Sequence, residues 1–288
     1  MPIAFEQVSF SYDDEHDALK GVDLVIEDGE FLGVIGHTGS GKSTLVQLMN
    51  ALLVPTAGRV LVDGMDTAER SLRRDVRTKV GLAFQYPETQ LFANTVAEDV
   101  AFGPRNLGLS DDEVDRRVHA ALERVGMDYA NIANRSPFDL SGGQQRRVAL
   151  AGILAMEPSV LVLDEPAAGM DPATVAEIRA YLRELNDQGL TIVLVSHSMD
   201  DVAELCSRII VLDHGVLHMQ GAPAELFTAQ NATELRRINL GVPRATKFAL
   251  ELAERGLDLP GPILGEAQLV EALIARREEM ERHGTDIG

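Results

Sequence analysis

Residues 36–44, Gly36-His37-Thr38-Gly39-Ser40-Gly41-Lys42-Ser43-Thr44, constrain the fold more than any other stretch of the chain. They satisfy the pattern of a phosphate-binding loop, a glycine-rich turn closed by a lysine and a hydroxyl residue. Such a turn works only where a buried strand leads in and a helix leads out. Phe31–Ile35 is an apolar run of strand length. Leu45, Val46, Leu48, Met49 and Leu52 then recur at helical spacing. Gly36, Gly39 and Gly41 let the backbone bend tightly and bring its N–H groups close to an anion. The helix beginning near Lys42 adds its positive end. Lys42 is able to reach the outer phosphates, and Ser43 to place its hydroxyl on Mg²⁺.

Three further apolar runs end in polar residues. Val80–Phe84 leads to Gln85, Val160–Leu163 to Asp164 and Glu165, and Thr191–Val195 to Ser196 and His197. In an open α/β sheet the ligand lies beyond the carboxyl ends of the strands. Gln85 therefore suits Mg²⁺ or an attacking water. Asp164 suits Mg²⁺, directly or through water. Glu165 suits the proton of that water, and His197 the terminal phosphate or the water. Tyr12, at the end of a strand ahead of the loop, offers a flat ring to a base.

A second anion device follows at Leu140-Ser141-Gly142-Gly143-Gln144. Ser141 is placed to cap a helix running to Met156, and the two glycines expose its first N–H groups. Asp171 closes a tight turn, and Pro172 suits the start of the next helix. Thr95–Leu107 and Ser110–Val125 read as charged helices that interrupt the strand–helix alternation, with Ser110 and Glu113 as a capping box. Arg208–Leu212 and Val216–Gln220 read as a hairpin around Gly215, with His214 and His218 on the surface. From Ala222 the chain reads as amphipathic helices broken by Pro243, Pro260 and Pro262. Leu269, Val270, Leu273 and Ile274 form a stripe suited to a packed cover or a dimer contact.

Bulk properties narrow the function classes. The formal net charge of −19 argues against broad binding to nucleic acid or anionic lipid. Cys206 is the only cysteine, which excludes an internal disulfide and fits a reducing compartment. No run of about 18 uncharged apolar residues exists to span a bilayer, and the first residues carry neither the basic nor the apolar part of an export signal. Asp13-Asp14-Glu15-His16-Asp17 reads as a solvated loop.

The loop, Gln85, Leu140–Gln144, Asp164-Glu165, Asp171 and His197, in that order, resemble the ATP-binding-cassette ATPases over roughly residues 3–230. The resemblance implies an α/β phosphate-loop NTPase core with an antiparallel β subdomain and a helical subdomain at about 86–157. A C-terminal helical domain would occupy 231–288. It implies ATP and Mg²⁺, with Tyr12 on adenine, residues 36–44 and Gln85 around the nucleotide, and Ser43, Gln85 and Asp164 at the metal. Glu165 would be the general base, and His197 would position the γ-phosphate. Two cassettes would pair head to tail, identical or not. Ser141, Gly142, Gly143 and Gln144 would then close on the ATP of the opposing subunit, and Asp171 would bridge the pair.

Gln85–Phe92, Thr95-Val96, Asp99–Pro104 and Asn106–Leu109 more narrowly resemble the ATPase of energy-coupling factor transporters, including cobalt and nickel importers. This implies a peripheral protein on the cytoplasmic face of the membrane, powering uptake of a vitamin or a transition-metal ion. An integral membrane coupling subunit and a substrate-binding membrane subunit would be its partners, with arginines of the former meeting Glu88 in an acidic groove. Ala167 stands where relatives often carry threonine. The rival readings are an exporter cassette and a soluble cassette of DNA repair or translation. The latter usually shows paired cassettes, a coiled coil or basic surface.

Overall fold

The computed structural model describes residues 3–13 and 16–282. Asp14 and Glu15 of the acidic run, and His283, lie outside the described residues. The strands are β1 (Ile3–Ser11), β2 (Asp17–Ile26), β3 (Phe31–Ile35), β4 (Ala57–Val62) and β5 (Met65–Asp66), followed by β6 (Val80–Ala83), β7 (Val160–Asp164), β8 (Thr191–Val195), β9 (Arg208–Asp213) and β10 (Val216–Gly221). They make two sheets, ordered β2-β1-β4-β5 and β10-β9-β3-β8-β7-β6. The first is antiparallel. The second is parallel from β9 to β6, with β10 added antiparallel at its edge.

The apolar runs are continuous, rather than alternating, because both faces of the second sheet are covered. Successive side chains of a strand point to opposite faces. Phe31, Ile35, Leu161, Leu163, Ile192 and Leu194 pack with the helical insert. Leu32, Val34, Val160, Val162, Val193 and Val195 pack with β1, β2 and the helix Lys42–Met49. Leu161 is fully buried, and Leu161→Ala would cost about 2–5 kcal/mol by the usual cavity penalty. This two-sided core aligns the carboxyl ends of β3, β6, β7 and β8 on one rim.

The insert holds the helices Val96–Asn106, Asp111–Arg124 and Gly142–Leu154. Thr95 caps the first, accepting from the Glu98 amide at 3.2 Å. The expected capping box at Ser110 does not form, since that side chain makes no capping hydrogen bond. Glu113 instead accepts from Arg116 and Arg117 at 2.6–2.8 Å. Two guanidinium partners outcompete one backbone amide.

The helix Ala229–Arg237 buries Leu235 in the main core, as do Ile238 and Leu240 after it. A separate small cluster of Ala245, Ile263 and Ala272 begins only beyond them. Val242 and Leu264 also pack on the main core. The tail's stripe is divided: Leu269 packs on that cluster, whereas Val270 and Ile274 are each 54% exposed.

Candidate nucleotide site

The loop after β3 is shaped by what its glycines leave out. A Cβ on Gly36 would collide with Ser40 Oγ and the Leu212 carbonyl oxygen. Gly41 has φ of 105°, and a Cβ there would lie 2.6 Å from the Ala18 carbonyl oxygen. Gly41 is also the N-cap of Lys42–Met49, so no side chain satisfies the first amides of that helix. The Lys42 ammonium is buried and donates to the carbonyls of Gly36 (2.7 Å) and His37 (3.0 Å). Burial lowers its pKa, while Glu165 and Asp164 act in the opposite sense.

β7 delivers the two carboxylates. Asp164 Oδ2 accepts from Ser43 Oγ at 3.4 Å, which joins the end of the loop to the end of β7. Burial pushes Asp164 above the usual carboxylate range, against the pull of Ser43 and Lys42. Glu165 adopts φ of +53°, a left-handed conformation uncommon outside glycine. Its amide donates to the Val195 carbonyl at 3.0 Å, so β8 holds it there. Strain of this kind gathers at functional sites. Burial and the adjacent Asp164 charge raise the Glu165 carboxyl to about 7.

His197, after β8, places Nε2 at 3.4 Å from Glu165 Oε1. That contact lacks hydrogen-bond geometry, and Glu165 Oε1 is buried without a partner. Burial, followed by the Lys42 charge, lowers the His197 pKa and favours neutral imidazole. Two carboxylates pushed toward protonation beside a hydroxyl and an orphaned oxygen fit a divalent cation.

Tyr12 stands at the same rim. Its hydroxyl lies 3.1 Å from Thr44 Oγ1, its ring meets Phe10 edge-on at 4.9 Å, and it is 63% exposed. Gln85 is exposed just beyond β6, and no hydrogen bond among the described residues joins it to Ser43 or Asp164. Ser141 and Gln144 form a complete capping box: the Gln144 amide donates to Ser141 Oγ at 3.4 Å, and the Ser141 amide to Gln144 Oε1 at 3.1 Å. Open space faces Gly142 and Gly143. Asp171 caps Pro172–Asp187, accepting from the Ala173 and Thr174 amides and, at 2.6 Å, from the Thr174 hydroxyl.

Comparison with known proteins gives this rim its context. The family model for ABC transporters matches residues 19–168. The chain belongs to the ABC transporter family. It is 56% identical over 278 residues to the energy-coupling factor transporter ATP-binding protein EcfA2 of Symbiobacterium thermophilum, covering 95% of this chain and 96% of that one. The corresponding protein of Clostridium perfringens is 49% identical over 89% of this chain and 90% of its own. Among solved structures, cbiO1 of Clostridium perfringens, part of the ABC transporter complex cbiONQ, superposes with a TM-score of 0.73 at 39% identity. That match covers 85% of this chain and 97% of that one. The dimeric cassette MJ0796, bound to ADP and Pi, gives 0.67 at 31% identity over 76% and 98%.

Within this cassette, sequence reasoning missed Arg146. Its guanidinium is buried, pairs with both oxygens of Glu88 (3.0 and 3.1 Å), and donates to the carbonyls of Pro166 and Ala168. It also lies over the Tyr86 ring at 5.9 Å. Glu88 is thus engaged inside the chain. A groove of about 940 Å³ beside Val96–Asn106 is walled by Arg70, Arg73, Arg74 and Arg77 and by Phe92 and Phe102. Its acid, Asp99, accepts from the Phe92 and Ala93 amides, and Glu88 is not part of its wall. Helix Arg73–Lys79 lends the groove a basic side.

Proposed function

We propose that this chain is the ATP-hydrolysing subunit of an energy-coupling factor importer. The observation that carries hydrolysis is Glu165: a strand-end carboxylate of raised pKa, with an unpartnered oxygen facing His197. Near-full-length similarity to proteins named for energy-coupling factor transport supports the transport role over DNA repair or translation.

In this reading ATP lies along residues 36–44 with its base against Tyr12. Lys42 exchanges its two carbonyl partners for the outer phosphate oxygens. Glu165 takes a proton from water, whose oxygen bonds to the γ-phosphorus as the bond to ADP breaks. Neutral His197 orients the γ-phosphate. Ser43, Asp164 and Gln85 would hold Mg²⁺, which when bound neutralises charge on the phosphate oxygens. The protein's contribution is mainly positioning and electrostatics.

Ser141–Gln144 would close on the ATP of an opposing cassette, identical or related, with Asp171 at the junction. Integral membrane coupling and substrate-binding subunits would complete the assembly at the cytoplasmic face, carrying a vitamin or a transition-metal ion. No helix of the described residues is long and apolar enough to cross a membrane, so attachment would run through docking. For Glu88 to meet a partner's arginine, it must share or release Arg146.

Affinity purification of the chain from its native membranes, followed by reconstitution in vesicles, tests the proposal. Membrane proteins should co-purify, and solute should enter the vesicles only with ATP. Recovery with ribosomes or DNA and no membrane protein would overturn it.

A further inference from the structure

The phosphate-binding loop carries a histidine whose side chain the nucleotide chemistry does not use. His37 Nδ1 lies 2.8 Å from the Thr38 carbonyl oxygen. A carbonyl only accepts, so Nδ1 carries the hydrogen, and in a neutral ring Nε2 then presents a lone pair. That lone pair faces Asp213 Oδ1 at 3.1 Å. Two acceptors at this distance need a proton or a metal ion between them. His214 approaches the same oxygen, with Nε2 at 3.8 Å, and its ring lies 4.7 Å from that of His37. One ligand atom from each of the three residues falls within 4.8 Å of the others.

We infer that His37, Asp213 and His214 bind a first-row divalent cation of the zinc, cobalt and nickel class beside the phosphate-binding loop. Tetrahedral sites with bonds of about 2.0–2.2 Å hold neighbouring ligand atoms about 3.3–3.5 Å apart. The two distances to Asp213 Oδ1 bracket that value. The Nδ1–H to carbonyl bond of His37 is the support that metal-bound imidazoles commonly have. Two imidazoles and one carboxylate select against Mg²⁺ and Ca²⁺, which take oxygen ligands.

A proton on His37 would account for His37 and Asp213 alone. It leaves the His214 ring against an imidazolium with its nitrogen turned to the same oxygen. The framework is braced, since the Gly215 amide donates to the Ser40 carbonyl at 3.1 Å and ties the β9–β10 turn to the loop. Asp213 and His37 are about four-fifths buried and His214 is exposed, so one side remains open for entry and for water ligands. Occupancy would also brace the His37 carbonyl that accepts from Lys42. None of this depends on the transport role.

The full chain, stripped of metal and free of nucleotide and Mg²⁺, is titrated with Zn²⁺ against a chromophoric chelator. One equivalent should bind, and His214→Ala and Asp213→Asn should each weaken it at least about tenfold, by the usual cost of disturbing a metal site. His218→Ala, at the other histidine of the hairpin, should leave it unchanged. His214 is exposed, so its substitution does not threaten the fold. In ring-nitrogen NMR spectra of the wild-type chain, Zn²⁺ should shift His37 Nε2 while Nδ1 stays protonated. Zinc affinity equal in wild type and His214→Ala, or a proton retained on His37 Nε2 throughout the titration, would overturn the site.

Discussion

The helices Lys42–Met49 and Gly142–Leu154 both start at glycine-rich turns, and they are prepared for an anion on different terms. At the first, Gly41 offers no side chain to the leading amides, and Ser40 Oγ is buried without a partner. The ammonium of Lys42 rests on carbonyls it can leave. At the second, Ser141 and Gln144 satisfy one another's backbone donors before any ligand arrives. What remains for a ligand is the open backbone of Gly142 and Gly143. The first turn leaves its donors open for a ligand to complete. The second is complete in itself and presents a rigid face, as suits an element that closes over a nucleotide held elsewhere.

The proposed function puts the chemistry on the first side, and Glu165→Gln probes that most severely. Turnover should fall by about 10²–10⁴, the usual worth of a general base, with ATP binding retained in a nucleotide titration. A variant that releases phosphate at the normal rate removes Glu165 from the mechanism. Lys42→Ala should lower kcat/KM by about 10²–10³, on the scale of losing one donor to developing charge, and should also weaken ATP binding. Loss of turnover with unchanged binding would mean that Lys42 does not hold the ground-state phosphates.

Tyr12→Leu should raise KM by roughly 5- to 150-fold, from the about 1–3 kcal/mol of base stacking, with kcat preserved. The base form of Glu165 is the deprotonated one and its pKa is raised to about 7. Wild-type kcat should therefore climb several-fold as pH rises through 7 and level off above it. A flat profile from pH 6 to 8 would separate the raised carboxyl from the chemistry. The smallest effect is expected at Ser141→Ala, which removes a cap worth about 0.5–2 kcal/mol. Amide exchange at Gly143 and Gln144 should quicken by about fivefold, given about 1 kcal/mol of local stability. Unaltered exchange would show that the second helix start does not depend on its box.

The local geometry of the loop was legible in the sequence because strand, turn and helix are neighbours in the chain. Phe31–Ile35 and Thr191–Val195 are strands at the bounds their apolar runs suggest, since two-sided burial demands unbroken apolar residues. Ser141 and Gln144 show their box in four letters, whereas Ser110 and Glu113 show the same spacing, with Glu for Gln, without forming one. The difference lies in Arg116 and Arg117, one turn further on. Pairings between distant segments left no comparable trace. His37 meets Asp213 across 176 positions and Arg146 meets Glu88 across 58. Neither pair sits at a spacing that secondary structure makes meaningful, so only the folded chain reveals them.

Arg146 gives the molecule a mechanical consequence. One planar guanidinium grips the segment after β6 with one edge and the carbonyls of Pro166 and Ala168, just after Glu165, with the other. A displacement of Glu88 would bear on the turn carrying Pro166 and Ala168 through that one side chain. On the proposed reading, a single side chain therefore stands between the surface where a partner would dock and the turn that follows Glu165.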